Sequence, residues 1–158
     1  ALLFFIIALF VLLKKQEMKA AHVFHWASIG LSVMLCLTWS NLNTLDFTSK
    51  SFLRTALHIS YALTPALFAH FSMIFPRDNT YKWRKLLQLN YLLALILSSV
   101  NIYVFVHTLY VISDASIDNY LAVFNYLRIY LIINVILSIG VFILAFLKEK
   151  AKVERQQL

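Results

Sequence analysis

Five polar side chains stand inside long apolar runs of this sequence: His58, Tyr61, Asn101, His107 and Arg128. Histidine, tyrosine and asparagine can both donate and accept hydrogen bonds, and arginine adds a permanent cation with a planar fork of donors. In hydrocarbon such groups are costly, so each needs a partner or a task. The chemistry they could perform together is recognition, in which hydrogen bonds and one positive charge are presented to a ligand. No Ser-His-Asp grouping, pair of facing carboxylates or glycine-rich phosphate loop can be assembled from the chain, so no catalytic residue is expected in it. His58 and His70 are 12 residues apart, which sets them about 120° apart around a helix and not on one ligating face. His22 and His25 could share a face, but no Cys or carboxylate cluster joins them, so neither a metal nor a haem cofactor is expected. The single cysteine, Cys36, excludes an intramolecular disulfide and reads as a small packing residue.

The elements that must position these groups are helices in a bilayer. The chain has 158 residues, of which 61% are hydrophobic and 13% charged, where a soluble domain would carry about a quarter charged residues. Glycine and proline are scarce, and the alternating short segments of a membrane barrel do not occur, which favours long helices. Five helical segments are predicted: one ending near Leu13, then about Val23 to Leu42, Phe52 to Phe75, Leu86 to Tyr110 and Tyr120 to Leu147. Each run approaches or exceeds the ~20 residues of a spanning helix except the first, which reads as the remainder of a longer helix. Pro65 removes a backbone donor in mid-helix and is expected to kink the third segment. The fold class is therefore all-α, a polytopic transmembrane bundle over 1–147, followed by a polar, helix-favouring tail over 148–158 that is expected to lead into a missing segment. The net charge of +7 is concentrated at a few helix ends and forms no basic face, so nucleic acid is not an expected partner; the lipid bilayer is.

Basic loops set the orientation. Lys14, Lys15 and Lys19 follow the first segment, Arg77, Lys82, Arg84 and Lys85 the third, and Lys148, Lys150, Lys152 and Arg155 the fifth. The loop after the fourth has Asp114 and Asp118 and no Lys or Arg. The positive-inside rule then places the amino terminus outside and the carboxyl terminus in the cytoplasm, with Trp26, Trp39, Tyr81 and Trp83 near the interfaces. In that orientation His58, Tyr61, Asn101, His107, Asn125 and Arg128 fall in the outer half, level with Trp39 and Asn41. Two readings follow: an outward-facing polar pocket for a small-molecule or lipid ligand, or interhelical hydrogen bonds that hold the bundle together. Arg128 either snorkels to the outer interface or turns inward to a ligand or to Asp114 or Asp118.

Two motifs resemble the amino-terminal seven-helix sensor region of bacterial membrane histidine kinases. In PALFAHFSMIFPR, the His-Phe pair and Phe-Pro step that typically end that family's third helix are His70, Phe71, Phe75 and Pro76, followed by Arg77. In ERQQL, Glu154, Arg155 and Gln156 resemble the polar segment that follows the family's fifth helix. The order of the segments is similar as well, over five of the family's seven helices. The resemblance implies a sensing role in the cytoplasmic membrane of a bacterium, a full-length protein that is a sensor histidine kinase of a two-component system, and a working homodimer. The same region is also joined to diguanylate cyclases and phosphatases, so the output stays open. The motifs have plain readings besides: Phe75-Pro76-Arg77 can end and anchor a helix, and His70 can bond a neighbouring helix. The function expected is a membrane sensory input module. The rivals are a transporter or channel fragment and a structural subunit of a membrane complex.

Overall fold

The computed structural model of the chain describes residues 1–40, 46–75, 78 and 80–156, the segment 148–156 as backbone alone. Asn41, Pro76 and Arg77 lie outside the described residues. The described residues form five helices: α1 (Leu2–Lys14), α2 (Lys19–Trp39), α3 (Phe47–Ile74), α4 (Thr80–Tyr110) and α5 (Asp114–Gln156). Four of them, α2 to α5, are long and apolar enough to cross a membrane, while α1, at 13 residues, is shorter than a span.

Every spanning helix starts earlier than its apolar run predicts. An apolar run marks the part of a helix that sits in hydrocarbon. The backbone ladder continues beyond it wherever a cap can satisfy the free N–H groups of the first turn. Asp46 caps α3, its Oδ2 accepting from the Ser49 N–H at 3.0 Å, so that helix begins at Phe47 and not Phe52. Before α4, Asp78 accepts from both the backbone N–H and the hydroxyl of Thr80. At the head of α5, Ser113 and Ser116 exchange bonds, each hydroxyl accepting from the other's N–H at 3.2 Å. The far end of α5 also runs past Leu147 to Gln156, because the polar segment after the apolar run is rich in helix formers. Both capping carboxyls are held below the usual carboxylate range: Asp46 by the Ser49 N–H, and Asp78 by the Thr80 hydroxyl and N–H.

Short connections make consecutive helices antiparallel neighbours. α3 is the hub, packed against α2, α4 and α5, and α1 packs on α2. The core lies in the seam between α3, α4 and α5: Ala62, Ala66, Ala94, Phe124, Leu127 and Tyr130 are buried together. Alanines on α3 and α4 let the backbones approach closely, so dispersion contacts and hydrogen bonds can hold helices that have no hydrophobic drive to associate in lipid. On α2 the same task falls to Gly30, where a Cβ would collide with the Thr64 hydroxyl of α3. α3 continues as a helix through the buried Pro65.

The distribution of polarity is the reverse of that in a water-soluble fold. Ser28, His58, Thr64, Ser72, Asn101 and Asn134 are buried, while Leu92, Leu95, Ile96, Ile132, Ile136 and Ile139 face outward. Such a surface is stable against lipid and not against water, so the chain is an integral membrane protein. Trp26, Trp39, Tyr81 and Trp83 are all exposed, as rings at a lipid–water boundary would be. Cys36 is exposed too, so it does not fill the packing role its apolar segment suggested.

Candidate functional site

The seam between α3, α4 and α5 holds two polar clusters, one toward each end. The first is built on His58, which is fully buried. Its Nδ1 lies 2.6 Å from the Arg54 carbonyl on the preceding turn, so the Nδ1–H donates there. That fixes the tautomer of the neutral ring and leaves Nε2 as an acceptor for the Tyr120 hydroxyl of α5, at 3.0 Å. Rings close the space around it. Phe105 of α4 and Phe124 and Tyr120 of α5 lie with centroids 5.4 to 5.8 Å from the imidazole, and Tyr61 stands edge-on to Phe124 at 5.3 Å. Tyr61 also reaches α2, with its hydroxyl 3.4 Å from that of Thr38. The Arg128 guanidinium stacks over the Phe124 ring at 4.8 Å, one turn along α5.

The five candidate residues therefore separate. His58 and Tyr61 share one aromatic cluster, and Arg128 covers that cluster from an exposed position on α5. Arg128 thus points off the bundle, and its aromatic partner is on its own helix. Asn101 is fully buried in the seam; its Nδ2 donates to the Leu97 carbonyl at 2.9 Å, and its Oδ1 has no partner among the described residues. His107 lies apart, exposed near the end of α4 beside Tyr103. Asn125 is exposed as well.

The second cluster contains residues that sequence reasoning did not single out. Asn90 of α4 donates through Nδ2 to Asn134 Oδ1 of α5 at 2.7 Å. The Tyr130 hydroxyl lies 2.8 Å from Asn90 Oδ1 and donates to it. Asn134 Nδ2 donates to the Tyr130 carbonyl at 3.0 Å, and the Ser138 hydroxyl to the Asn134 carbonyl at 2.6 Å. The signal was present: Tyr130, Asn134 and Ser138 recur every four residues on the most apolar run of the chain and so share one face of α5. His70 Nδ1 of α3 is hydrogen-bonded to the hydroxyl of Tyr91, the neighbour of Asn90 on α4, at 3.0 Å. Of the other motif residues, Phe71 packs on Phe24 of α2, and Phe75 stacks between Phe71 and Phe142 of α5. Glu154, Arg155 and Gln156 lie in the helical extension of α5.

This second cluster borders a cavity of about 350 Å³ between α3, α4 and α5. Met73, Leu89, Leu93, Ile133, Leu137 and Val141 supply apolar walls, and Trp83 stands at one end. Its polar lining is Ser72, Asn90, Tyr130, Asn134 and Ser138, all uncharged. The outer pocket expected around His58 is occupied by rings, whereas this cavity lies toward the opposite end of the seam. Among the described residues no group of His, Cys, Asp or Glu is arranged to hold a metal ion. His22 bonds the Gln16 carbonyl at 2.7 Å, and His25 packs between Phe5 and Trp26. No family model, curated protein or solved structure matches the chain.

Proposed function

We propose that the chain is a sensory input module of a bacterial cytoplasmic membrane, coupling an extracellular or intramembrane stimulus to a cytoplasmic output such as a histidine kinase. The observation that carries this reading is the continuity of α5. One helix of 43 residues holds Tyr120, Phe124, Tyr130 and Asn134 in the seam and runs on without a break to Gln156. At ~1.5 Å per residue it is about 65 Å long, well beyond the bilayer. A stimulus that changes how α5 packs against α3 and α4 therefore moves the polar extension as a rigid rod. The basic loops support a cytoplasmic location for that extension. The seam has parts for two packings, because its hydrogen bonds are few and discrete and its walls are small residues. The stimulus is a small molecule or a lipid, and the working unit is a homodimer in which two such rods drive one output. The family resemblance of the His70–Arg77 and Glu154–Leu158 motifs supports the same reading. The test is the reading frame past Leu158. Two further spans and a kinase or cyclase domain support the proposal, and a stop codon directly after Leu158 sinks it.

A second reading, a transporter or channel fragment, is favoured by one observation. A pathway requires polar groups at more than one depth, and the seam carries them at the level of His58 and Tyr120 and again at Asn90, Tyr130 and Asn134. Ion or solute flux into proteoliposomes holding the purified chain would decide for it.

A further inference from the structure

We propose that the cavity between α3, α4 and α5 binds an uncharged lipophile by its carbonyl oxygen, held by the two asparagine amides Asn90 and Asn134. The inference goes beyond the sensory reading and does not depend on it, since binding is read on the chain itself with no output attached.

The hydrogens of the two amides outnumber the acceptors they meet. Each asparagine amide carries two N–H donors. Asn90 Nδ2 gives one to Asn134 Oδ1, and Asn134 Nδ2 gives one to the Tyr130 carbonyl. Each amide then keeps a second N–H, and no partner for either occurs among the described residues. Both residues line the cavity, and Asn134 is only 4% exposed. A donor left unpaired in hydrocarbon is costly, and no bulk water is available there to relieve it. The acceptors are committed differently: Asn90 Oδ1 receives Tyr130, and Asn134 Oδ1 receives Asn90. What the pair offers a guest is therefore donors, which select an acceptor. A carbonyl oxygen on the guest can accept such an N–H.

The cavity sets the remaining chemistry. Its lining holds no charged side chain, so an ionised headgroup would be stranded. About 350 Å³ is within the range of small-ligand sites. Along α4 the lining runs from Trp83 to Leu93, and along α5 from Tyr130 to Val141, so the space is a slot about 15 Å long. That shape suits a single hydrocarbon tail next to one polar group. The guest enters sideways from the bilayer, and its carbonyl is an ester of a glycerolipid or a free ketone.

Trp83 lines the slot and supplies a readout, since the chain has only two other tryptophans, Trp26 and Trp39. The experiment uses Trp26→Phe/Trp39→Phe protein in detergent, so that fluorescence comes from Trp83 alone. The probes are the methyl ester of dibromostearic acid and, as a control without a carbonyl, dibromooctadecane. The proposal expects saturable quenching by the ester and only linear, non-saturating quenching by the hydrocarbon. Asn90→Leu and Asn134→Leu are each expected to weaken the ester by about tenfold, the loss of one good hydrogen bond. If either variant melts early, Ser138→Leu decides instead: it fills the slot, leaves the amide pair in place and should abolish saturation. Displacement of the ester by diacylglycerol assigns the site to a bilayer lipid, and displacement by a long-chain ketone alone assigns it to a free lipophile. Equal saturation by ester and hydrocarbon, saturation by neither, or displacement by neither competitor overturns the proposal.

Discussion

The two ends of the α3–α4–α5 seam solve the same problem in opposite ways. Both place polar groups where lipid would penalise them. At the His58 end the polar atoms are few and the remaining space is filled by rings from Phe105, Tyr120, Phe124 and Tyr61. At the Asn134 end the hydrogen bonds are more numerous, yet a cavity of about 350 Å³ remains beside them. A hydrogen bond fixes two groups in one geometry but fills little volume, whereas a ring fills volume with a single partner. The ring-packed end is thus a clamp, and the amide end is a joint that can open or admit a guest.

The largest effect that tests this contrast is on packing. Phe124→Ala removes the ring shared by His58, Tyr61, Tyr120 and Arg128, and is expected to cost about 3–5 kcal/mol. Leu137→Ala, on the wall of the slot and 55% exposed, is expected to cost well under ~1 kcal/mol because it enlarges a space already empty. Thermal unfolding of the two variants in the same detergent checks this. Similar costs would mean that the slot is as tightly packed as the clamp.

Deleting hydroxyls comes next. Tyr120→Phe leaves His58 Nε2 without a donor, and Tyr130→Phe leaves Asn90 Oδ1 without one. Interhelical hydrogen bonds in membranes average about 0.6 kcal/mol and reach about 1.7. We expect Tyr120→Phe near the upper value, since ring packing leaves His58 no space to find another partner. Tyr130→Phe is expected near the lower one, because the adjoining cavity lets the amides rearrange. The reverse order in a chemical-denaturant series would remove the distinction between clamp and joint.

Asn101 offers a sharper case, since its substitution should help. Its Oδ1 is buried and has no partner among the described residues, so Asn101→Leu exchanges a stranded acceptor for an apolar group of similar size. The expected change is a gain of about 1 kcal/mol, or no loss. A clear loss, measured by the same unfolding assay, would mean that Asn101 is paired in the folded protein and belongs to a continuous polar line between the two ends.

The contrast between the ends was only half legible in the sequence. Apolar run length identified the spanning helices, since the bilayer imposes one length on all of them. The cost of polarity in lipid drew attention to His58, Tyr61 and Asn101, and all three belong to the packed bundle. The same rule, applied to Tyr130, Asn134 and Ser138, would have marked one face of α5. Their weaker polarity hid them beside the charge of Arg128, which is exposed. Helix starts were misjudged because hydropathy sees the hydrocarbon and not the cap, as Asp46 and Ser113 show. Which residues pair across helices was not legible at all: His58 with Tyr120, or Asn90 with Asn134, depends on helix rotation, and that is settled by the packing of alanines far along the chain.

The smallest expected effect compares the caps, one at each end. Asp46 holds the start of α3 on the clamp side, and Asp78 the start of α4 on the slot side. Both carboxyls titrate below their ordinary value of 3.8, so each stabilises the fold above that pH and loses its contribution as the pH falls through the lowered value. Protonation should loosen the first turn of each helix, but the consequences differ. Beyond Asp46 the ring cluster holds α3 in place, and little should follow. Beyond Asp78 the first turns of α4 carry Trp83 at the mouth of the slot, so acid should change its fluorescence before it changes total helicity. Asp78→Ala should bring that change to neutral pH, and Asp46→Ala should not. Equal responses of Trp83 to the two substitutions would show that the ends are mechanically coupled, and the clamp would then have to move with the joint.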